Sequence, residues 1–359
     1  MIRATIGILA GTGRKPVALA ATGVGETSFT ANWEAFEGAV YYLLDVSTQQ
    51  DFSTFVYENE IIYAPTTSYV VIGLEDNTTY YYRLRASTEP LYLLDEWQYP
   101  DAAAAYSLRK LRHEYKGAAV EVRNDGGVHL DIGFDENGDL AAALLAHCGS
   151  GDGTVSKWYD QSGSGNDATQ TSASEQPQIV SSGSVITENG KPAVEFDGND
   201  VLILSIISYT NISTIAVAKT TSIPSSNAHV VVQSVGVLLK SGQNPSNYPR
   251  FQPYDSGYKT AEYQVDSENQ QLLLFGYTSS GNAYIYVNNN VGTSASISTL
   301  QSPANPFHIG LFPTVPNTSN NGPIQEVIIY PSDQSSNRTG IESNINSHYN
   351  IYYVSPDAD

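Results

Sequence analysis

The stretch WYDQSGSGNDATQ, residues 158–170, concentrates more chemistry than any other in this chain. Asp160, Gln161, Ser162, Asn166 and Asp167 surround Gly163 and Gly165 directly after a Trp-Tyr pair. Carboxylate, amide and hydroxyl groups on a glycine-rich loop suit three tasks: acid–base catalysis, calcium coordination or sugar binding. A fourth reading is a tight turn, in which Asp160 and Asn166 form Asx turns, the glycines take positive φ and Trp158 anchors the loop in the core. Asp160, Ser162, Ser164 and Asn166 alternate as calcium ligands do, but position twelve, Thr171, is not acidic, so an EF-hand-type loop is not expected. A Ca2+ ion held with help from elsewhere stays open. A second acidic turn, ENGKPAVEFDGNDVL at 188–202, places Asp197, Asn199 and Asp200 around Gly198. It reads as a hairpin turn first and as a partner to the first loop in cation or sugar binding second. The candidate ligand-binding residues are Asp160, Asn166, Asp167, Asp197 and Asp200. The six histidines show no metal-ligand spacing, and no phosphate loop or Ser-His-Asp order stands out.

The elements that must hold these loops are strands. Charged residues make up only 15% of 359, and Tyr occurs 25 times, a bias toward strands over helices. The formal charge of −20, from 37 acidic and 17 basic residues, repels nucleic acid and anionic lipid, and no apolar run is long enough for a membrane helix. Cys148 is alone, so no intrachain disulfide forms. Residues 15–90 read as seven short strands: SFTANWEAF alternates with Phe29, Ala31 and Trp33 inward, and TTYYYRLRAST with Tyr80, Tyr82, Leu84 and Ala86 inward. DAAAAYSLRKLRHEY reads as a helix capped by Asp101, with Arg109, Lys110, Arg112 and His113 on its solvated faces. DLAAALLAHCG reads as a short helix from Asp139, and SSNRTGIESNINSHYNIY as a helix with Ile341, Ile345 and Tyr349 on one face. Between and beyond them the pattern is nearly unbroken strand.

Trp33 on the second strand, with Leu74 six residues before Tyr80, resembles the core and tyrosine corner of a fibronectin type III domain. The ordered set AAAAYSLRKLRHEYKGAAVEVR, LDIGFDENGDL, WYDQSGSGNDATQ, QPQIV, ENGKPAVEFDG and GPIQEVIIYPSD resembles the concanavalin A-like, laminin-G-like jelly roll of virion and prophage proteins. More distantly it resembles the catalytic sandwich of arabinofuranosidase B. MIRATIGI resembles the N-termini of appendage proteins in phages of Bacteroidota. The resemblances imply an all-β chain: a virion-anchoring peptide at 1–14 carried by Ile6, Ile8 and Leu9, a fibronectin type III-like sandwich at 15–90, a linker and helix at 91–116, and a concanavalin A-like jelly-roll sandwich at 117–359.

The function so implied is a phage head or tail appendage, made in the host cytoplasm without a signal peptide. Its partners would be capsid or tail proteins, host-surface or mucosal glycans and copies of itself, a trimer among the options; nucleic acid and membrane insertion are not expected. The alternative is an arabinofuranosidase-like glycoside hydrolase. That chemistry needs two carboxyl groups about 5 Å apart. The arabinofuranosidase family places its acid/base Asp just before the final strand, and here no Asp or Glu lies between Gly310 and Glu326; the family's vicinal cysteine pair is absent too. The expectation is therefore that the chain is not an enzyme and needs no cofactor, with Ca2+ the one candidate ion.

Overall fold

The computed structural model describes residues 3–6, 16–88, 92–95, 101–135, 138–140, 142–221, 228–234, 236–243, 248–264, 270–301, 305–310 and 321–353. They fall into two compact units, Met1–Leu91 and Tyr92–Asp359, both almost entirely of strands. None of the described helices is long and apolar enough to cross a membrane.

The first unit is built on period-two alternation. In the strand Phe29–Trp33 the side chains of Phe29, Ala31 and Trp33 are buried, and Thr30 and Asn32 are not. Thr79–Ser87 buries Tyr80, Tyr82 and Leu84 in the same way. These residues meet Tyr42, Leu44, Val46, Ile62 and Val71 in one apolar core. Tyr80 accepts a hydrogen bond at its hydroxyl from the N–H of Glu75, 2.9 Å away, which ties the preceding turn to its strand. The described part of 15–90 holds six strands rather than seven, in two sheets. A further strand, Arg3–Ile6, comes from the N-terminus and pairs in parallel with Thr79–Ser87, Arg3 opposite Thr79 and Ile6 opposite Tyr82. Ile6 was expected in a peptide belonging to no domain; it is instead part of this sheet. An unpaired strand edge offers a row of free backbone groups, and any chain able to pair gains hydrogen bonds there. Ile8 and Leu9 lie outside the described residues.

The strands of the second unit form a hydrogen-bonded circuit that closes on itself around one large core. One side runs through Gln178–Ser181, Val194–Asp197, Asn321–Tyr330, Ser213–Lys219, Gln271–Ser279 and Asn282–Val287. The other runs through Val120–Asn124, Gly153–Trp158, Ala168–Thr169, Val201–Leu204, Phe307–Gly310, Ala228–Ser234, Val237–Gln243 and Arg250–Pro253. The helix Arg338–Tyr349 presents Ile341, Ile345 and Tyr349 to a second apolar cluster with Leu273, Phe275, Ile328 and Tyr330. That helix covers the outward face of the first side.

Two expected helices differ from what is observed. Ala104–Ser107 is a strand paired with Asn321–Tyr330, Ala104 opposite Ile329 and Ser107 opposite Glu326. All four of its residues are buried. Alanine is a strong helix former, but propensity yields to tertiary context, and burial within the sheet overrides it here. Arg109, expected on a solvated helix face, is buried and ion-paired with Glu326 at 2.8 Å. The other helix is shorter than read: it begins at Ala143, because Leu140 bridges back to Phe134.

Candidate functional site

The loop after Trp158 is a structural clasp. Trp158 is fully buried, 6.0 Å from the ring of Tyr106. Asp160 is buried too, and its carboxylate accepts four hydrogen bonds. Oδ1 takes the N–H groups of Ala105 (2.9 Å) and Ser162 (2.8 Å); Oδ2 takes the Ser162 hydroxyl (2.8 Å) and the Asn166 N–H (3.0 Å). A carboxylate has about four lone-pair sites, so Asp160 has none left for an ion. Asp167 accepts the Asp160 N–H at 3.0 Å, and Asn166 donates its amide to the Ala103 carbonyl at 2.7 Å. Gln161 accepts from the Leu111 N–H and donates to the carbonyls of Ser107 and Arg109. Gly163 and Gly165 take φ of +90° and +74°. The loop therefore spends its polar groups fastening residues 102–111 to the Gly153–Trp158 strand.

The second acidic turn is differently made. It joins Val194–Asp197 to Val201–Leu204. Asp197 is exposed, and its N–H donates to Asp200 Oδ2 at 2.8 Å; the Asn199 N–H donates to Asp197 Oδ1, also at 2.8 Å. The Asp200 side chain is buried, and that burial, with the negative charges of Asp197 and Glu195, pushes its carboxyl up to about 7 against the one hydrogen bond from Asp197 that opposes the shift. Burial and the neighbouring negative charges thus favour the protonated form of Asp200, beside a second carboxyl group. The strand register places this turn. Asp197 lies opposite Asn321 and Val201 opposite Gly310. Gly310 has φ +95°, and a Cβ there would meet the Asp200 carbonyl at 2.6 Å, so the approach requires glycine.

The two turns do not meet. Thr169 pairs with Ile203 in antiparallel register, which sets Asp160–Asp167 and Asp197–Asp200 at opposite ends of that pairing. Among the described residues no group of three or more His, Cys, Asp or Glu side chains is placed to hold a metal.

Glu326, which lies on the final strand, is committed elsewhere. It accepts from Arg109 Nε (2.8 Å) and Nη2 (3.0 Å), from the Ser107 hydroxyl (2.8 Å) and from the Tyr349 hydroxyl (3.1 Å). The sequence missed this network because Ser107 and Arg109 lie more than 200 residues from Glu326 and Tyr349.

No family description matches the chain, and no curated protein does. Solved structures do. An arabinofuranosidase complexed with arabinofuranosyl-α-1,2-xylobiose is 15% identical, with a TM-score of 0.48 over 71% of this chain. This chain spans 64% of that enzyme's length. Domain 4 of AbnA, an extracellular arabinanase from Geobacillus stearothermophilus, is 14% identical with a TM-score of 0.36, covering 44% of this chain and 79% of its own. A Trypanosoma rangeli sialidase is 14% identical with a TM-score of 0.35, covering 53% of this chain and 31% of its own. These are distant similarities of fold.

The expectation that the chain is not an enzyme is corrected. The structures it resembles are of glycoside hydrolases. The register places Asp197 opposite Asn321, and Asp200 next to Val201, which lies opposite Gly310.

Proposed function

We propose that the second unit is a glycoside hydrolase acting on polysaccharide, with Asp200 as proton donor and Asp197 as its carboxylate partner. The observation that carries this is the buried carboxyl of Asp200, raised to about 7, on the same short turn as the exposed Asp197. Glycosidic bond cleavage needs one carboxyl that keeps its proton near neutrality and one that is ionised. Asp200 would protonate the leaving oxygen, and Asp197 would meet the positive charge developing on the sugar. Two carboxyls on one short turn suit the close spacing of retaining enzymes, about 5 Å, rather than the 6.5–9.5 Å of inverting ones. In the same reading the first unit is a fibronectin type III-like spacer, supported by its two sheets and the Tyr80–Glu75 bond. Attachment to a virion is carried only by the likeness of MIRATIGI, and four residues of that stretch, Arg3–Ile6, are engaged as a strand.

The test is release of reducing sugar from arabinan, arabinoxylan and sialylated or acidic capsular glycans. Turnover should fall at least 100-fold in both Asp200→Asn and Asp197→Asn, and the wild-type rate should decline above about pH 7 as Asp200 loses its proton. Absence of turnover on every substrate, or full turnover in Asp200→Asn, would refute the assignment.

A further inference from the structure

The strand His129–Ile132 has an open edge. It pairs in antiparallel register with Val120–Asn124, whose other side is taken by Gly153–Trp158. Among the described residues no second strand shares a register with it. The carbonyl of Val128 accepts the Asn124 N–H at 3.0 Å, and that of Ile132 accepts the Ala119 N–H at 2.7 Å. Backbone groups alternate in direction along a strand, so those of His129 and Asp131 point the other way, out of the sheet. His129, Leu130 and Asp131 are all exposed. A bare edge is a template for another strand, and proteins usually blunt one with lysine, proline or a bulge. The segment VHLDI, 128–132, has none of these. It offers apolar surface instead. Val128 is 58% exposed and Leu130 41%, on the side of the strand from which Ile132 enters the core. Leu145, also 41% exposed, stands on the helix Ala143–Cys148, which packs against this strand.

The segment is complementary to itself. Its order is apolar, His, apolar, Asp, apolar. When two copies run antiparallel about Leu130, the two Leu130 side chains meet, Val128 meets Ile132 and His129 meets Asp131. An axis on His129 or on Asp131 would instead set like groups opposite each other. The axis on Leu130 also makes His129 and Asp131 the hydrogen-bonded pair, twice by symmetry, which uses the backbone groups that face outward. The side chains have capacity left for this. His129 engages Glu121 (3.0 Å) and Ser156 (3.1 Å) through Nδ1, and Asp131 Oδ1 accepts from the Tyr159 hydroxyl at 2.8 Å. His129 Nε2 and Asp131 Oδ2 have no partner among the described residues. Opposite charges facing each other across a strand pair favour that register over the others.

We propose that the partner of this edge is a second copy of the chain, the two His129–Ile132 strands pairing antiparallel about Leu130 in a two-fold dimer. The proposal stands apart from the hydrolase reading, because no residue of the Asp197–Asp200 turn takes part.

Sedimentation of the full chain across the micromolar range should show a monomer–dimer equilibrium. The salt should be about 0.15 M, where repulsion between two chains of charge −20 is screened over about 8 Å. Leu130→Lys should keep the wild-type melting temperature and weaken the dimer at least tenfold, since two like charges then meet on the axis. Leu130→Cys should crosslink on mild oxidation, because opposed residues of a non-hydrogen-bonded pair lie about 4.5 Å apart at Cα, within disulfide reach. Val128→Cys should not, since its two copies stand about 13 Å apart along the pairing. Cys148 is buried, so the wild type should not crosslink either. The His129 and Asp131 amides should exchange more slowly as concentration rises. If Leu130→Lys does not fold, the two cysteine variants and the amide exchange decide. A chain that stays monomeric, a trimer, a dimer indifferent to Leu130→Lys, or crosslinking through Val128→Cys in place of Leu130→Cys overturns the proposal.

Discussion

Replacing Asp160 by alanine takes the acceptor away from the N–H groups of Ala105, Ser162 and Asn166 and from the Ser162 hydroxyl. Buried donors left without a partner cost about 1–3 kcal/mol each, and the loop side of the cluster can reach water, so a loss of about 3 kcal/mol is expected in urea unfolding. Added Ca2+ should leave the stability of both proteins unchanged. A calcium-dependent gain in the wild type that Asp160→Ala lacks would show that the carboxylate holds an ion instead. Asp200 behaves differently because its charge is resisted. Its folded pKa, about 7, lies above the ordinary value of 3.8. A raised carboxyl favours the fold fully below the unfolded pKa, and this contribution is lost as pH rises through about 7. Asn at this position has no proton to lose. The melting temperature of Asp200→Asn relative to wild type should therefore climb between pH 4 and 7 and level off above 8. A difference that does not vary with pH would mean that Asp200 is not held protonated.

At the scale of elements, the helix Arg338–Tyr349 is fastened to the sheet through Arg109, which pairs with Glu326 and donates from Nη1 to Asn344 at 2.9 Å. Removing one partner of a buried pair leaves an uncompensated charge, so Arg109→Leu should cost about 3–5 kcal/mol. The double variant Arg109→Leu/Glu326→Leu should recover a large part of that loss; equal damage in the double variant would mean that packing, not charge, sets the cost. The strand Arg3–Ile6 yields another prediction. Deleting residues 2–12 exposes the edge at Thr79–Tyr82, so the first unit should melt lower and exchange the Thr79–Tyr82 amides faster. Unchanged exchange would mean the strand adds nothing. These elements also mark what the sequence could disclose. Alternation in Phe29–Trp33 and the spacing of Ile341, Ile345 and Tyr349 are local patterns, so both were readable. Ala104–Ser107 was read as helix because its fate is set by a partner more than 200 residues away. Asp197 and Asp200 were picked out as a turn, but the proton on Asp200 depends on burial among strands distant in sequence.

For the whole molecule, the distribution of cores decides how it should unfold. Phe29, Trp33, Tyr42 and Tyr82 belong to a core lying wholly in Met1–Leu91. Trp158, Phe196, Phe251 and Phe307 belong to one lying wholly in Tyr92–Asp359, as does the cluster beneath the C-terminal helix. Each unit buries its own apolar surface, so each has its own reason to fold cooperatively. Calorimetry of the full chain should then show two transitions. Trp33 is 2% exposed and Trp158 fully buried, and truncating a buried aromatic costs about 3–5 kcal/mol. Trp33→Ala should lower one transition and leave the other in place, and Trp158→Ala should do the converse. The Asp200→Asn shift should appear only in the transition that Trp158→Ala moves, because Asp200 and Trp158 share a unit. A single transition lowered by both tryptophan variants would mean that the chain unfolds as one cooperative body.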